Sequence, residues 1–278
     1  LGLILWQILE LMKTLMGMLS RLFASNGWGL IMASAKEIVI KPIKASVANK
    51  KCAEIHYSGK VVPNSQLHFG VFLHDKLEGV MQFGPPINKK GTISIVSGTK
   101  WSGMIELNRM AFSDNLPKNS ESRAMAVAFK LMKKNYPQIE WVVSFSDATQ
   151  CGDGTIYRAA GFVLTDIRES NALRVNPSTG QVMHVIQAHH LMMSKEFRTW
   201  KATKGYQLRY VMFLNKAAQD RLTVPILPFS MIDEMGAGMY KGEVVTMKER
   251  RTKEQESENP SDLGGATPTC TLQPNSHL

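Results

Sequence analysis

The sequence predicts an α/β fold, a mixed central β-sheet flanked by helices, and three observations carry the prediction. Segments with strand alternation and segments with helical periodicity succeed one another from Glu37 to about Asn215. Two runs, QLHFGVFLH and KLEGVMQFG, sit back to back like the arms of a hairpin, and the short apolar run WVVSFSD (141–147) is followed by a two-turn helix and a second apolar run, FVLTDI. Chains that alternate in this way bury the apolar stripes of their helices against a sheet.

Taken in order, EIVIKPIK (37–44) alternates as a strand and ASVANKKCAEIHY is compatible with a helix. The hairpin turns around Asp75-Lys76, and MIELNRMAF (104–112) is the next strand. In SESRAMAVAFKLMKKNY the apolar residues Met125, Phe129 and Met132 recur at intervals of three and four, with Asn119 or Ser120 available as the cap. WVVSFSD is a short buried strand. CGDGTIYRAAGF (151–162) then opens on two glycines and an aspartate, carries Tyr157 in its middle and closes at Gly161-Phe162. Asp153 at its start reads as a cap. Downstream, GQVMHVIQAHHL and YQLRYVMFLN read as further strands.

The ends differ from this body. Residues 1–31 are apolar, but Gln7, Glu10, Thr14 and Arg21 form a narrow polar stripe, which suits an amphipathic helix better than a membrane span of about 20 nearly uncharged residues. The stretch lacks a basic start and a small-residue cleavage site, so neither a secretory signal nor a membrane partner is expected. Met32-Ala33-Ser34 has the form of an ordinary start, which leaves open that residues 1–31 are upstream sequence and not native to the protein. Residues 32–248 form the folded body; residues 249–278, charged and then rich in Gly, Pro, Thr and Ser, read as a disordered tail.

Of the net charge of +10, the body holds +11, the extension +1 and the tail −2. A body so basic suits a polyanionic partner, because lysines and arginines beside phosphates release condensed counterions. The three cysteines, Cys52, Cys151 and Cys270, are far apart and form no zinc-spaced cluster, as expected of a reducing cytoplasm.

Several residues stand out for their chemistry. Asp147 ends a central strand, where active sites of open sheets gather. Arg109 interrupts an apolar strand, and a charge there must be paired or face a cleft. His56-Tyr57 offers two donors that, with an aspartate, can hold iron. The segment KEFRTWKATKGYQLRY (195–210) interleaves Lys195, Arg198, Lys201 and Lys204 with Trp200 and other aromatics: cations that track phosphates and rings on which bases stack.

The order of elements, together with GTIYRAAGF, is similar to the GNAT acyltransferase superfamily, in which a tyrosine-bearing helix ends at Gly-Phe. The resemblance puts Asn119, Ser120, Ser122 and Arg123 in the acyl-CoA loop, although of that loop's usual pattern only Ala124 conforms. IHYSGK, MIELNRMAF, SFSDATQCGDGTIYRAAGF, SKEFRTWKATKGYQLRYVMFLNK and LTVPILPFSMIDEMGAGMYKG more closely resemble the Mom-type adenine-modification proteins of bacteriophages, over roughly residues 36–245. That resemblance implies a transferase that converts adenine in DNA to N6-methylcarbamoyladenine and shields phage DNA from restriction. It would work in the bacterial host's cytoplasm on double-stranded DNA with the adenine flipped out, and it leaves a homodimer open. The donor would be acetyl-CoA or another activated acyl or glycyl compound. Tyr157 and Asp147 would handle protons, Arg109 would hold the donor, and Trp200 or another aromatic of the basic segment, such as Tyr206, would receive the base. Two alternatives stay open: an ordinary GNAT N-acetyltransferase acting on an amine of a protein or small molecule, and a non-catalytic DNA-binding protein.

Overall fold

The computed structural model describes residues 34–56, 60–148, 154–180 and 182–240, with 243, 244, 249 and 252. The amphipathic extension, nearly all of the expected tail, Tyr57 and Asp153 lie outside these residues.

After a 3₁₀ turn at Ala35–Glu37 come β1 (Val39–Pro42), α1 (Ala45–Ile55), β2 (Leu67–Leu73), β3 (Lys76–Gly84), α2 (Lys89–Ile93), β4 (Met104–Phe112) and α3 (Ser120–Asn135). They are followed by β5 (Trp141–Asp147), α4 (Thr155–Ala159), β6 (Val163–Val175), β7 (Val182–His184), α5 (Val185–His190), α6 (Ser194–Phe197) and β8 (Lys201–Phe213). The short helices α7 (Lys216–Gln219) and α8 (Ser230–Glu234) and the strand pair β9 (Met239–Tyr240) and β10 (Glu243–Val244) complete the order. The chain forms two compact units, Leu1–Phe83 with Arg109–Leu131, and Gly84–Asn108 with Met132–Leu278.

In the first unit β1, β2 and β3 pair antiparallel. His74 and Asp75, the two residues between β2 and β3, both take positive φ, 47° and 61°. Positive φ at both positions gives a turn whose twist matches the strands it joins. The turn thus falls one residue earlier than the sequence suggests. Phe83 meets Phe69 and Phe129 edge to face at centroid distances of 6.0 and 6.5 Å, and Cys52, Val80 and Ala111 form a second cluster. The buried Glu78 carboxylate accepts from Ser113 at 2.6 Å and Asn115 at 3.1 Å and pairs with Lys76 at 2.7 Å. Burial alone would raise its pKa; these partners outweigh that and hold it at about 2.

The second unit contains the mixed sheet. Its strand order is β4-β5-β8-β6-β7, with β4 parallel to β5 and the other neighbours antiparallel. Trp141, Val143, Met104 and Val211 pack with Ile95, Val96 and Ala218, and the Trp141 indole donates to the Thr99 hydroxyl at 3.0 Å. The parallel ladder spans only Met104–Trp141 to Glu106–Val143, while β5 runs on to Asp147. GQVMHVIQAHHL departs from expectation: only Val182–His184 is a strand, and Val185–His190 is helical. Gln187-Ala188 breaks the alternation, and Ala188 is buried against Met183, Phe197 and Trp200. Among the described residues no helix is long and apolar enough to cross a membrane.

Candidate active site

The α/β class puts the C-terminal end of β5 where substrates of open sheets bind. Asp147 is the last residue of that strand and is exposed. It lines a cavity of about 320 Å³ together with Arg168, Glu169, Ser170, Leu173, His184, Tyr206 and Gln207. Asp147 stands opposite Gln207 of β8, and Gln207 stands opposite Arg168 of β6. Residues in one cross-strand row share a face of the sheet, so the three form a polar row. The adjacent row holds Phe145, Arg209 and Asp166. Arg209 donates to the Thr165 hydroxyl at 3.0 Å, and both Arg209 and Arg168 pair with Asp166, at 3.5 and 3.4 Å. Two guanidiniums thus share the Asp166 carboxylate, and the carboxylates of Asp147 and Glu169 line the cavity beside them.

Tyr157 belongs to the same unit but to a different layer. Ser144 and Ser146 alternate with Asp147 along β5 and face the opposite side of the sheet. The Ser144 hydroxyl donates to the Tyr157 oxygen at 3.0 Å and reaches the Leu107 carbonyl at 3.4 Å. Tyr157 is 9% exposed; its ring stacks on Tyr210 with centroids 4.7 Å apart and meets Phe162 edge to face at 5.3 Å. The Tyr157 hydroxyl, expected from the sequence to handle protons, is therefore half of a buried pair at the point where the β4–β5 ladder has ended. Gly154 makes the arrangement possible: its φ is 68°, and a β-carbon there would overlap the Tyr210 phenol. The Ser146 hydroxyl, on the same face, is buried without a hydrogen-bond partner among the described residues.

The expected acyl-donor residues lie in the first unit. Asn119 takes φ 69°, the left-handed conformation that glycine usually supplies in such loops, immediately before the sixteen-residue helix α3. Asparagine tolerates this geometry, so the absence of the family's glycine does not deny the loop its turn. Ser120 and Ser122 turn their hydroxyls onto the loop's own carbonyls, of Pro117 at 2.6 Å and Asn119 at 3.2 Å, and the exposed Arg123 reaches the Lys36 carbonyl at 3.4 Å. A helix N-terminus with a nearby guanidinium suits an anionic pyrophosphate, and these residues fit the group.

His56 and Arg109 are in the same unit. Burial, and then the Arg109 guanidinium, hold the His56 imidazole down to about 4, and the same guanidinium partly offsets the upward push of burial on the Cys52 thiol. Among the described residues no three His, Cys, Asp or Glu side chains converge, and Tyr57, the second expected iron ligand, lies outside them; the Arg109 charge that opposes an imidazolium on His56 opposes a dication as well.

In the basic segment Lys195, Arg198, Lys201 and Lys204 are exposed, and Lys204 lies 3.4 Å from Glu169. Trp200 differs from expectation. It is 3% exposed and packs with Phe197, Met183 and Ala188, so its ring is core and offers no face to a base. Arg174 fixes the segment by donating to the Trp200 and Arg198 carbonyls at 2.8 and 3.2 Å. Sequence reasoning missed Gln207 and His184, whose place in the cavity follows from strand register that no local pattern encodes; Tyr206, which shares the cavity, is one of the aromatics of the basic segment. It also missed Ser144, whose signal was visible as a serine within an apolar strand.

The sheet and cavity define an α/β protein with a carboxylate at the end of a central strand. Among solved structures it is similar to a Bacillus subtilis acetyltransferase in complex with CoA (10% identity, TM-score 0.39, 64% of this chain and 97% of that one). It is also similar to the ribosomal-protein-S18-alanine N-acetyltransferase of Escherichia coli (8% identity, TM-score 0.38, 64% and 94%); at such scores neither likeness bears on activity. The chain belongs to the Mom protein family, whose sequence model matches residues 37–231. It is 36% identical over 203 residues to the methylcarbamoylase mom of Escherichia phage Mu, covering 69% of this chain and 82% of that protein.

Proposed function

We propose that the chain is a DNA-modifying transferase that converts adenine in phage DNA to its N6-methylcarbamoyl derivative and so protects that DNA from restriction in the host cytoplasm. Family membership supports the reaction, and the observation that carries its assignment to a site is Asp147 at the end of β5, inside a cavity of about 320 Å³.

Adenine N6 is a weak nucleophile whose lone pair is drawn into the ring, and in a duplex it is paired. The base is flipped out, at a cost of a few kcal/mol, and held against the protein. As N6 bonds to the donor's activated carbon, one N6 proton passes to the Asp147 carboxylate and the donor's leaving group departs with the bonding electrons. The Tyr157 hydroxyl, buried and held by Ser144, is proposed as the proton source for the leaving group, which requires the donor to reach the buried side of β5. An activated donor that brings the amide-bearing carbon supplies the electrophile, since an acetyl group from acetyl-CoA alone carries no amide nitrogen; Arg109, Asn119, Ser120, Ser122 and Arg123 are the residues proposed to hold its anionic part. Lys195, Arg198, Lys201 and Lys204 bind DNA phosphates.

The test is to express the full chain in a bacterium, digest the DNA to nucleosides and weigh them. A heavier deoxyadenosine in expressing cells alone supports the reading. Its absence where folded protein accumulates in a host that supplies the donor sinks it.

A further inference from the structure

We propose that the cavity beyond β5 is the pocket for the target base and that Gln207 reads the adenine edge within it; this rests on the adenine-modification reading above. The cavity is about 320 Å³, near the lower end of the roughly 300–1,000 Å³ typical of ligand pockets. That is room for one nucleoside and little more. Next to the row of Asp147, Gln207 and Arg168 comes the pair Gly205 and Ser170, which brings no side chain from β8 and a small one from β6.

The polar groups are those a base needs. The Gln207 amide and the Tyr206 phenol make no side-chain hydrogen bond to any described residue, although both line the cavity. Arg168, by contrast, is engaged by Asp166 at 3.4 Å. An amide presents an acceptor and a donor side by side. Adenine presents the complement, the N6 donor beside the N7 acceptor, whereas guanine presents two acceptors.

The register then gives each N6 hydrogen its own destination. Gln207 and Asp147 are cross-strand partners, whose β-carbons lie about 4.5–5.5 Å apart in such pairs. With one N6 hydrogen donated to the Gln207 oxygen, the other is directed at the Asp147 carboxylate. Base recognition and proton acceptance are thus built into adjacent positions of one row. Trp200, the first aromatic that the sequence offered for this task, is buried elsewhere in the unit, whereas Tyr206 of the same segment lines the cavity.

The experiment compares the full chain with Gln207→Leu, a change at an exposed side chain, checking by thermal melting that both are folded. Binding of free deoxyadenosine and deoxyguanosine is measured by calorimetry, and the two proteins are also compared for modified deoxyadenosine in host DNA. The wild-type chain is expected to prefer deoxyadenosine by about 10-fold or more, as a two-point amide contact implies, and Gln207→Leu to erase the preference and lower modification by a similar factor. Equal binding of the two nucleosides by the wild type, or an unchanged preference in the variant, overturns the assignment of Gln207 even if DNA is still modified. A retained preference in a chain that modifies no DNA leaves the pocket standing and removes the reaction instead. Should Gln207→Leu fail to fold, Ser170→Leu, which fills the cavity from β6, is expected to abolish deoxyadenosine binding; undiminished binding overturns the proposal.

Discussion

The hydroxyls of Ser144 and Tyr157 lie 3.0 Å apart in a buried pair that joins the strand β5 to the helix α4. Tyr157 also stacks on Tyr210, so its ring and its hydroxyl do separable things. Tyr157→Phe keeps the stack and removes only the oxygen. The expected outcome is a loss of DNA modification of about 100-fold or more, the usual range for a proton-transfer group. Stability should fall by only about 1 kcal/mol for the lost hydrogen bond. Full activity in Tyr157→Phe would assign the residue to packing alone.

Gly154 tests the frame that holds this pair. Its φ of 68° costs an L-residue about 1–2 kcal/mol, and a β-carbon would also collide with the Tyr210 phenol. Gly154→Ala should lower the melting temperature by at least several degrees, at roughly 2–4 °C per kcal/mol for a chain of this size. An unchanged melting curve would mean that the Gly154–Tyr210 approach is not held in solution.

The half-buried His56 makes stability depend on pH. Its pKa is about 4 in the folded chain and near 6.5 when unfolded, so the unfolded state binds the extra proton first. The stabilisation from the neutral imidazole is complete above about pH 6.5, declines as pH falls toward 4 and is exhausted below that. The difference amounts to as much as about 3 kcal/mol. Urea unfolding between pH 4 and 7 should show this slope in the wild type and a flatter one in His56→Gln. Parallel curves would contradict the assignment.

Changing Lys195, Arg198, Lys201 and Lys204 together to Gln should flatten the salt dependence of DNA binding. Each lost phosphate contact removes about 0.9 from the slope of log K against log salt, so a reduction of about 2–4 is expected. An unchanged slope would move the DNA path to another surface.

Much of the fold was legible because local chemistry and final structure agree. MIELNRMAF and WVVSFSD become β4 and β5 with the bounds read from sequence, and the stripe of Met125, Phe129 and Met132 becomes the buried side of α3. Where local signal and packing diverge, the reading fails. Apolar residues after Val185 resemble a strand, yet the buried Ala188 is placed by a helix. The site divides in the same way. Asp147 declared itself by standing at a strand end. Trp200 misled, because an aromatic among lysines has the same sequence signature whether its ring faces solvent or, as here, a small core. Gln207 was silent, since its importance comes from lying opposite Asp147 across two strands about sixty residues apart in the chain.

The most direct measurement concerns Asp147 itself. Asp147→Asn preserves shape and removes the carboxylate that takes the N6 proton. Mass spectrometry of nucleosides from hosts expressing the variant should show modified deoxyadenosine reduced by about 100-fold or more, with DNA affinity in vitro unchanged. Modified deoxyadenosine at the wild-type level in cells making Asp147→Asn would contradict the account.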